Sequence, residues 1–490
     1  MVLSVFFAGI LAVANVAAIE LDVRNTESIK SAAKTIVQDM VKTYYPEDAT
    51  VGLVKHPLYD DEDPFDLRES AMFWDSLLNY WFLTGDDQYN DKVTKGILGR
   101  VGEDRDFFPR DLWDRTNNDD LAAWGLVSLA AAERQLPNPP AGQPKWLDLA
   151  RTVFENQAAG WDTNECDGGI RGSKYAAFGG YYYNKFAGSW FLLLAARLGA
   201  YTGNQTYLDW AEKQYSWAAG SGGLVTADFA VNYGVSLTGG NCNPPVKFEH
   251  TYNQAAYLYG NAVAYNATSS DVWRQRVEGH LKHFANFFVH KSDKVNATDS
   301  AGGKILTEQT CAQITTYCSR EERYFKSLTA RWMSQAAVAA PFISETISSY
   351  LQESAALAAE TCTGKEAGKM CSMWWETGKY VSDATTGLAE EISALEIIQQ
   401  TLNGPDFKLA TVDSGASSPN IKDSSDPSSP GTPSGTGDGG SGDGSGSGNG
   451  SGNGDNTSES DKPKDNAAGG LGSSKWTGMM AFVIISQLFM

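Results

Sequence analysis

Thr116-Asn117-Asn118-Asp119-Asp120-Leu121-Ala122-Ala123-Trp124 is the stretch on which the reading of this chain turns. Two carboxylates stand side by side behind a pair of asparagines, and an apolar run follows to Leu129. Asn is a good N-cap, and acidic residues are favoured in a first helical turn, where free backbone N–H groups and the helix dipole stabilise negative charge. A capped helix is therefore the plain reading, since an acidic first turn is a routine helix start. The sharper reading is a carboxylate pair of the kind placed around a scissile glycosidic bond. Consecutive side chains diverge along a helix, but at its first turn they can fork around a small ligand. Neighbouring backbones then hold the two carboxyl groups nearer ~5 Å than ~9 Å apart, the spacing of retaining rather than inverting chemistry. Like charges that close cannot both ionise easily, so the pair is expected to split into an acid and a base.

The surroundings of this stretch read as helix. Apolar residues recur at three and four spacing in 29–41, 70–83, 121–133, 145–154, 186–200, 207–218, 254–264, 272–289 and 327–340. Strand-like runs are short and scattered, with a small hairpin expected around Leu224 to Leu237. Three turns repeat one another: Leu83-Thr84-Gly85-Asp86-Asp87-Gln88-Tyr89, Tyr201-Thr202-Gly203-Asn204-Gln205-Thr206-Tyr207, and Tyr265 through Trp273. Pro144-Lys145-Trp146-Leu147-Asp148 supplies a further helix start of the same kind. The aromatics at 89, 146, 207 and 273 mark a repeat of roughly 60 residues, the size of an antiparallel helix hairpin with a long loop. About six such units fit between residues 25 and 400, and six hairpins in a ring make an all-α (α/α)6 barrel. Asp119 and Asp120 would open the inner helix of the second hairpin, where long loops surround a cleft.

Both ends carry processing signals. Residues 2–18 are apolar and end in Val16-Ala17-Ala18, a small-x-small cleavage site, so residues 1–18 read as a signal peptide. The folded catalytic domain is then 19–410, followed by a Ser-, Gly- and Asp-rich stalk at 411–466 that cannot form a core and is expected to be disordered. Asn466-Ala467-Ala468, a polar spacer to Lys475 and an apolar tail from Trp476 to Met490 form a signal for a GPI anchor, with Asn466 the attachment residue and 467–490 the removed propeptide. That address is the outer face of the plasma membrane or the cell wall, reached by the secretory route. Six cysteines fit an oxidising compartment. Short loops favour Cys311–Cys318 and Cys362–Cys371, which leaves Cys166–Cys242, although spacing alone does not separate the possible pairings. Asn204, Asn266, Asn296 and Asn456 sit in N-x-[ST] glycosylation sequons.

Charge and missing motifs narrow the chemistry. A net charge of −20 with no basic stripe argues against nucleic acid as a partner. His280, His283 and His290 lack an H-E-x-x-H pattern and read as packing or surface residues rather than a metal site. No nucleophile elbow, phosphate-cradling loop or dinucleotide fingerprint precedes a helix. The carboxylates remain.

Five motifs in order resemble glycoside hydrolase family 76: Asn118-Asp119-Asp120 with Trp124, Cys166-x-Gly168-Gly169-Ile170-Arg171, Thr251-Tyr252-Asn253-Gln254, Phe325 to Trp332, and Ser393-Ala394-Leu395-Glu396. The whole plan is similar to the fungal GPI-anchored branch of that family, the mannan endo-1,6-α-mannosidases of cell-wall assembly. The resemblance covers roughly residues 25–402 and implies an (α/α)6 barrel, retaining catalysis without a metal or cofactor, and an α-1,6-linked mannose backbone as substrate. It assigns Asp119 as nucleophile and Asp120 as general acid/base. It also places Trp74, Asp75, Trp124, Asp167, Arg171, Tyr252 and Asn253 along the cleft. The chain departs from the family pattern at Leu121, Ala123, Gly172 and Ala255. Three functions follow for comparison: an endo-acting hydrolase of α-1,6-mannan, a transglycosidase moving GPI-protein mannose glycans onto wall glucan, and a non-catalytic glycan-binding wall protein.

Overall fold

Two kinds of helix build the molecule, and their burial tells them apart. The computed structural model describes residues 18–55, 67–108, 116–173, 182–183, 187–238, 241–292, 302–313, 318–364, 370–381, 386–404 and 407–412. Among these residues thirteen α-helices follow one another: α1 Thr26–Tyr44, α2 Leu67–Thr84, α3 Asn90–Leu98, α4 Asn118–Glu133, α5 Trp146–Ala159, α6 Ala187–Thr202, α7 Gln205–Ala219, α8 Thr251–Thr268, α9 Asp271–Phe284, α10 Gln309–Gln313, α11 Arg320–Ala339, α12 Ser344–Glu360 and α13 Leu388–Gln399. α4 is buried from Asp119 to Glu133, and α13 at every position. α9 buries only Trp273, Val277, His280 and Phe284, a single stripe. A helix apolar all round belongs inside, and one with a stripe belongs at the surface.

Packing follows that division. α2, α4, α6, α8, α11 and α13 each contact the next, and α13 closes back on α2, so six inner helices form a ring. α3, α5, α7, α9 and α12 pack outside their partners, and α1 covers α13 and α2. The expected (α/α)6 barrel is the fold of the described residues. No helix among them is long and apolar enough to cross a membrane. Residues 1–17 of the signal peptide, the stalk beyond Val412, Asn296, Asn456 and the Asn466 anchor site lie outside the described residues.

The repeat seen in the sequence is one turn used three times. Gly85, Gly203 and Ser269 all take left-handed backbone, with φ of 80°, 69° and 53°, after an inner helix. The preceding threonines, Thr84, Thr202 and Thr268, each bond back to the carbonyl four residues earlier. Their hydroxyls then accept from Asp86 N, Asn204 N and Ser270 N at 3.2, 3.2 and 3.3 Å. Sequence periodicity missed α3, α10, α12 and α13. α3 has only nine residues, and α13 carries no stripe because every face is covered. The run 272–289 ends early at Phe284, since Phe288–Val289 (β5) pairs with Ile305–Leu306 (β6).

The hairpin expected within 224–237 forms at its start, where Val225 bridges Val231 in antiparallel sense and Asn232 N donates to Leu224 O at 2.9 Å. The strand Asn232–Thr238 (β2) continues from it and pairs with Tyr182–Tyr183 (β1) before it and with Asn241–Cys242 (β3) and Val246–Glu249 (β4) after it. All three cysteine pairs, Cys166–Cys242, Cys311–Cys318 and Cys362–Cys371, are formed.

Candidate active site

The start of α4 is fixed by a loop from the next unit. Asn118 N donates to Gly172 O and Asn118 Nδ2 to Arg171 O, both at 2.9 Å, while Gln157 Nε2 donates to Asn118 O at 2.8 Å. That loop is stiff. Gly168 and Gly169 have φ of 136° and 102°, and a Cβ on them would strike Trp161 and Trp217 at 2.7 and 2.6 Å. Trp217 Nε1 donates to Cys166 O at 2.8 Å, and the Cys166–Cys242 disulfide ties the loop to the β2–β4 sheet. The glycines of the Cys166–Arg171 motif therefore serve to hold a loop against the first turn of α4.

Asp119 and Asp120 occupy that turn, each 4% exposed. Asp120 Oδ2 accepts from Asn117 N at 2.7 Å, so this aspartate does cap its helix, as the plain reading expects. Its other oxygen faces Arg68, with Nε to Oδ1 at 3.1 Å. Arg68 Nη1 lies 3.7 Å from Asp119 Oδ2, and Arg68 Nη2 is ion-paired with Glu321. Arg68 opens α2, Asp119 and Asp120 open α4, and Glu321 opens α11. One guanidinium thus links the N-terminal ends of three inner helices, where helix dipoles favour negative charge. For Asp120 the capping reading holds, and its second oxygen is left facing the guanidinium.

Tyr252, at the start of α8, is fully buried between Trp190 and Phe325, with ring centroids 6.4 and 4.4 Å away. Burial holds its phenol well above the usual value, and the charges of Asp119 and Glu321 add to that. It therefore faces the same cluster as a neutral hydroxyl. Asn253 is also buried, and Ser189 Oγ donates to its Oδ1 at 2.8 Å. Arg171 is half-buried and ion-paired with Asp162 and Glu165, while Asp167 stands exposed on the same loop. Asp167 and Arg171 thus share one loop beside α4.

Trp74, Asp75 and Trp124 are placed differently from the expectation. Trp74 is 0% exposed, donates to Gly52 O at 3.0 Å and packs so closely on α3 that a Cβ at Gly96 would sit 2.3 Å from its ring. Trp124 is stacked on Phe107 at 5.5 Å. Both tryptophans are core residues, because a large apolar ring gains most when every face is covered. Asp75 lies seven residues beyond Arg68, about 10 Å deeper along α2. There Arg331 holds it in an ion pair, together with Glu396 at 2.6 Å and Ser76 Oγ at 3.0 Å. The Phe325–Trp332 and Ser393–Glu396 motifs meet in this buried cluster on the barrel axis. Of the sequons, Asn204 caps α7 and Asn266 is exposed at the end of α8. A cavity of about 380 Å³ at that opposite end of the ring is lined by Glu133, Arg197, Tyr259, Asn266 and Phe407–Thr411, and touches neither aspartate.

Arg68 and Glu321 were not singled out in the sequence. Nothing local marks them, since 253 residues separate the two. Of the three histidines, His280 is buried against Tyr215 and Gln254, His283 pairs with Glu249 at 2.6 Å, and His290 is exposed.

The ring of helix hairpins places the chain in the (α/α)6 class, with two adjacent carboxylates at the start of an inner helix. Comparison with known proteins narrows that class. The profile of glycosyl hydrolase family 76 matches residues 28–412. Mannan endo-1,6-alpha-mannosidase DCW1 of Saccharomyces cerevisiae is 35% identical over 78% of this chain and 81% of its own length, and DFG5 of the same yeast is 31% identical over 82% and 84%. The crystal structure of Dfg5 from Chaetomium thermophilum in complex with glucosamine superposes with a TM-score of 0.74 at 30% identity, covering 80% of this chain and 95% of that one. An inactive variant of an alpha-1,6-mannanase from a Salegentibacter species, in complex with α-1,6-mannotriose, shares the fold with a TM-score of 0.60 at 15% identity over 76% of this chain and 99% of that one. The chain belongs to glycosyl hydrolase family 76 and is a glycosidase.

Proposed function

We propose that this protein cleaves α-1,6-mannosidic bonds within mannan by a retaining mechanism, at the outer face of the plasma membrane or in the wall, where a GPI anchor tethers it. The observation that carries the reading is the Asp119–Asp120 pair at the first turn of α4, both members reaching one guanidinium. The mannan endo-1,6-alpha-mannosidases to which the chain is similar support the linkage.

In the first step Asp119 attacks the anomeric carbon and the bond from that carbon to O6 of the next mannose breaks. Asp120 gives its proton to the departing O6, and a mannosyl ester of Asp119 remains. In the second step water, its proton taken by Asp120, attacks the same carbon and releases Asp119, so configuration is retained. A sugar hydroxyl in place of water would give transfer instead.

Asp119→Asn and Asp120→Asn test the assignment. On an α-1,6-mannan oligosaccharide both should lose activity. On a dinitrophenyl mannobioside, whose leaving group needs no proton, Asp120→Asn should still release dinitrophenol in a burst while Asp119→Asn stays silent. Equal behaviour of the two variants on that substrate would refute the roles. Products analysed with and without an acceptor glycan separate hydrolysis from transfer, and unchanged wall function in both variants would instead indicate a glycan-binding protein.

A further inference from the structure

We propose that Arg68 is a positioning residue that sets the pH range in which the Asp119–Asp120 pair works, with Glu321 as the counter-charge that tempers it. The inference rests on the retaining reading of that pair. It starts from a shared contact: Arg68 Nε is 3.1 Å from Asp120 Oδ1, Nη1 is 3.7 Å from Asp119 Oδ2, and Nη2 is paired with Glu321. The Arg68 side chain is 12% exposed and each aspartate side chain 6%, so water screens these charges weakly. Three elements that are distant in sequence deliver them, and a planar fork is the one cationic shape that can face three carboxylates at once.

The consequences differ in sign. A nucleophile must be ionised, so Asp119 governs the acidic limb of the rate profile. A proton donor must be protonated, so Asp120 governs the alkaline limb. A cation this close favours the charged form of both. Removing Arg68 should therefore move both limbs to higher pH, and an opposite charge within this range is worth about one to three pH units. Glu321 acts the other way, because its charge offsets Arg68. Neutralising it removes that offset and should move both limbs to lower pH. Arg68→Lys keeps the charge but not the fork, so its limbs should stay near wild type while kcat falls.

Other titratable groups gather at this end of the ring. α8 presents Tyr252, β2 presents Tyr233, and α11 presents Tyr324 and Arg323. α13 presents Glu390, paired with Arg323 at 2.6 Å, and Glu391; α2 presents Glu69. His250 with Glu308, and Lys326 near Glu376, lie at the start of α8 and along α11. All are unchanged in the variants, so a difference between profiles reports the charge that was altered.

The experiment measures kcat/KM against pH on α-1,6-mannotetraose for wild type, Arg68→Gln, Arg68→Lys and Glu321→Gln, with thermal melts to confirm folding and Asp119→Asn as a control. Opposite shifts for Arg68→Gln and Glu321→Gln, with Arg68→Lys between them, are expected. Glu321→Gln keeps the test alive if Arg68→Gln does not fold, because a purely structural Glu321 would lower activity without moving the limbs downward. Loss of turnover in Asp119→Asn together with unmoved or like-signed limbs would overturn this inference alone. Full turnover in Asp119→Asn would overturn the retaining reading and this inference with it.

Discussion

The two ends of the ring use the same residue types to opposite purpose. On the axis and toward the far end, carboxylates are paired with arginines: Asp75 and Glu396 both meet Arg331, and Glu133 is gripped by Arg197 Nε and Nη2 at 3.0 and 2.6 Å. The opposition of charges there is close to even, and Arg197 is held above its ordinary value by Glu133 despite burial that pushes the other way. At the N-terminal end, three carboxylates meet one guanidinium among the described residues. A neutral axis suits a scaffold, since buried charge is tolerated when paired and hydrogen-bonded. Carboxylates gathered at helix N-termini suit chemistry, because the helix dipoles favour their charge and closely set ionisable groups perturb one another's protonation.

The largest effect should come from the acid-rich end. Asp120→Asn should lower mannan hydrolysis by about a hundred- to ten-thousand-fold, the usual contribution of a general acid. Thermal stability should change little, because Asn can still accept from Asn117 N in the capping position. A melt that fell along with activity would erase the contrast between the ends.

Arg331→Met should do the reverse. It leaves Asp75 and Glu396 buried without their cation, a loss of about 3–5 kcal/mol of stability. The residual folded enzyme should keep its KM for mannan, because Arg331 lies on the axis and not among the residues at the first turn of α4. Denaturant unfolding beside steady-state kinetics checks both. A raised KM with unchanged stability would place Asp75 back in the cleft.

How much of this was legible beforehand follows from the range of each interaction. The Asp119–Asp120 pair could be read because a helix start is local, and the repeat because a turn of Thr, a left-handed residue and a back-bonded N–H is a short motif. Two cysteine pairs were favoured for the same reason, with sequence separations of 7 and 9, and Cys166–Cys242, 76 apart, was only what those two left over. Arg68 with Glu321 and Asp75 with Arg331 join positions 253 and 256 apart, which no local pattern announces. Tryptophan identity does not tell a sugar platform from a core ring. Trp74 and Trp124 became core residues through Gly96 and Phe107, neighbours the sequence did not put beside them. Gly96→Ala turns that point into a measurement. Its Cβ would overlap the Trp74 ring, costing about 1–3 kcal/mol of stability, with KM for mannan unchanged.

The effect that is smallest near neutral pH concerns two histidines away from both ends of the comparison. His280 is fully buried, and burial, aided by His283, pushes its pKa down to about 3. Its Nδ1 lies 3.0 Å from Gln254 Nε2 and its Nε2 3.2 Å from Tyr215 Oη. The folded protein therefore keeps this ring neutral while the unfolded chain takes up a proton below the ordinary histidine value. Stability from His280 is complete above pH ~6.5 and is lost as pH falls from there toward about 3, at most about 1.4 kcal/mol per pH unit. His283 has the opposite sign. Burial opposes its charge, but the bond to Glu249 wins and raises its pKa, so its contribution is present below the ordinary value and fades as pH rises through the raised one. Melting temperature against pH should pass through a maximum, and His280→Gln should flatten the acid side of that curve alone. An equal change on both sides would show that the two rings titrate as one group, and an unchanged acid side would show that His280 is protonated in the folded protein.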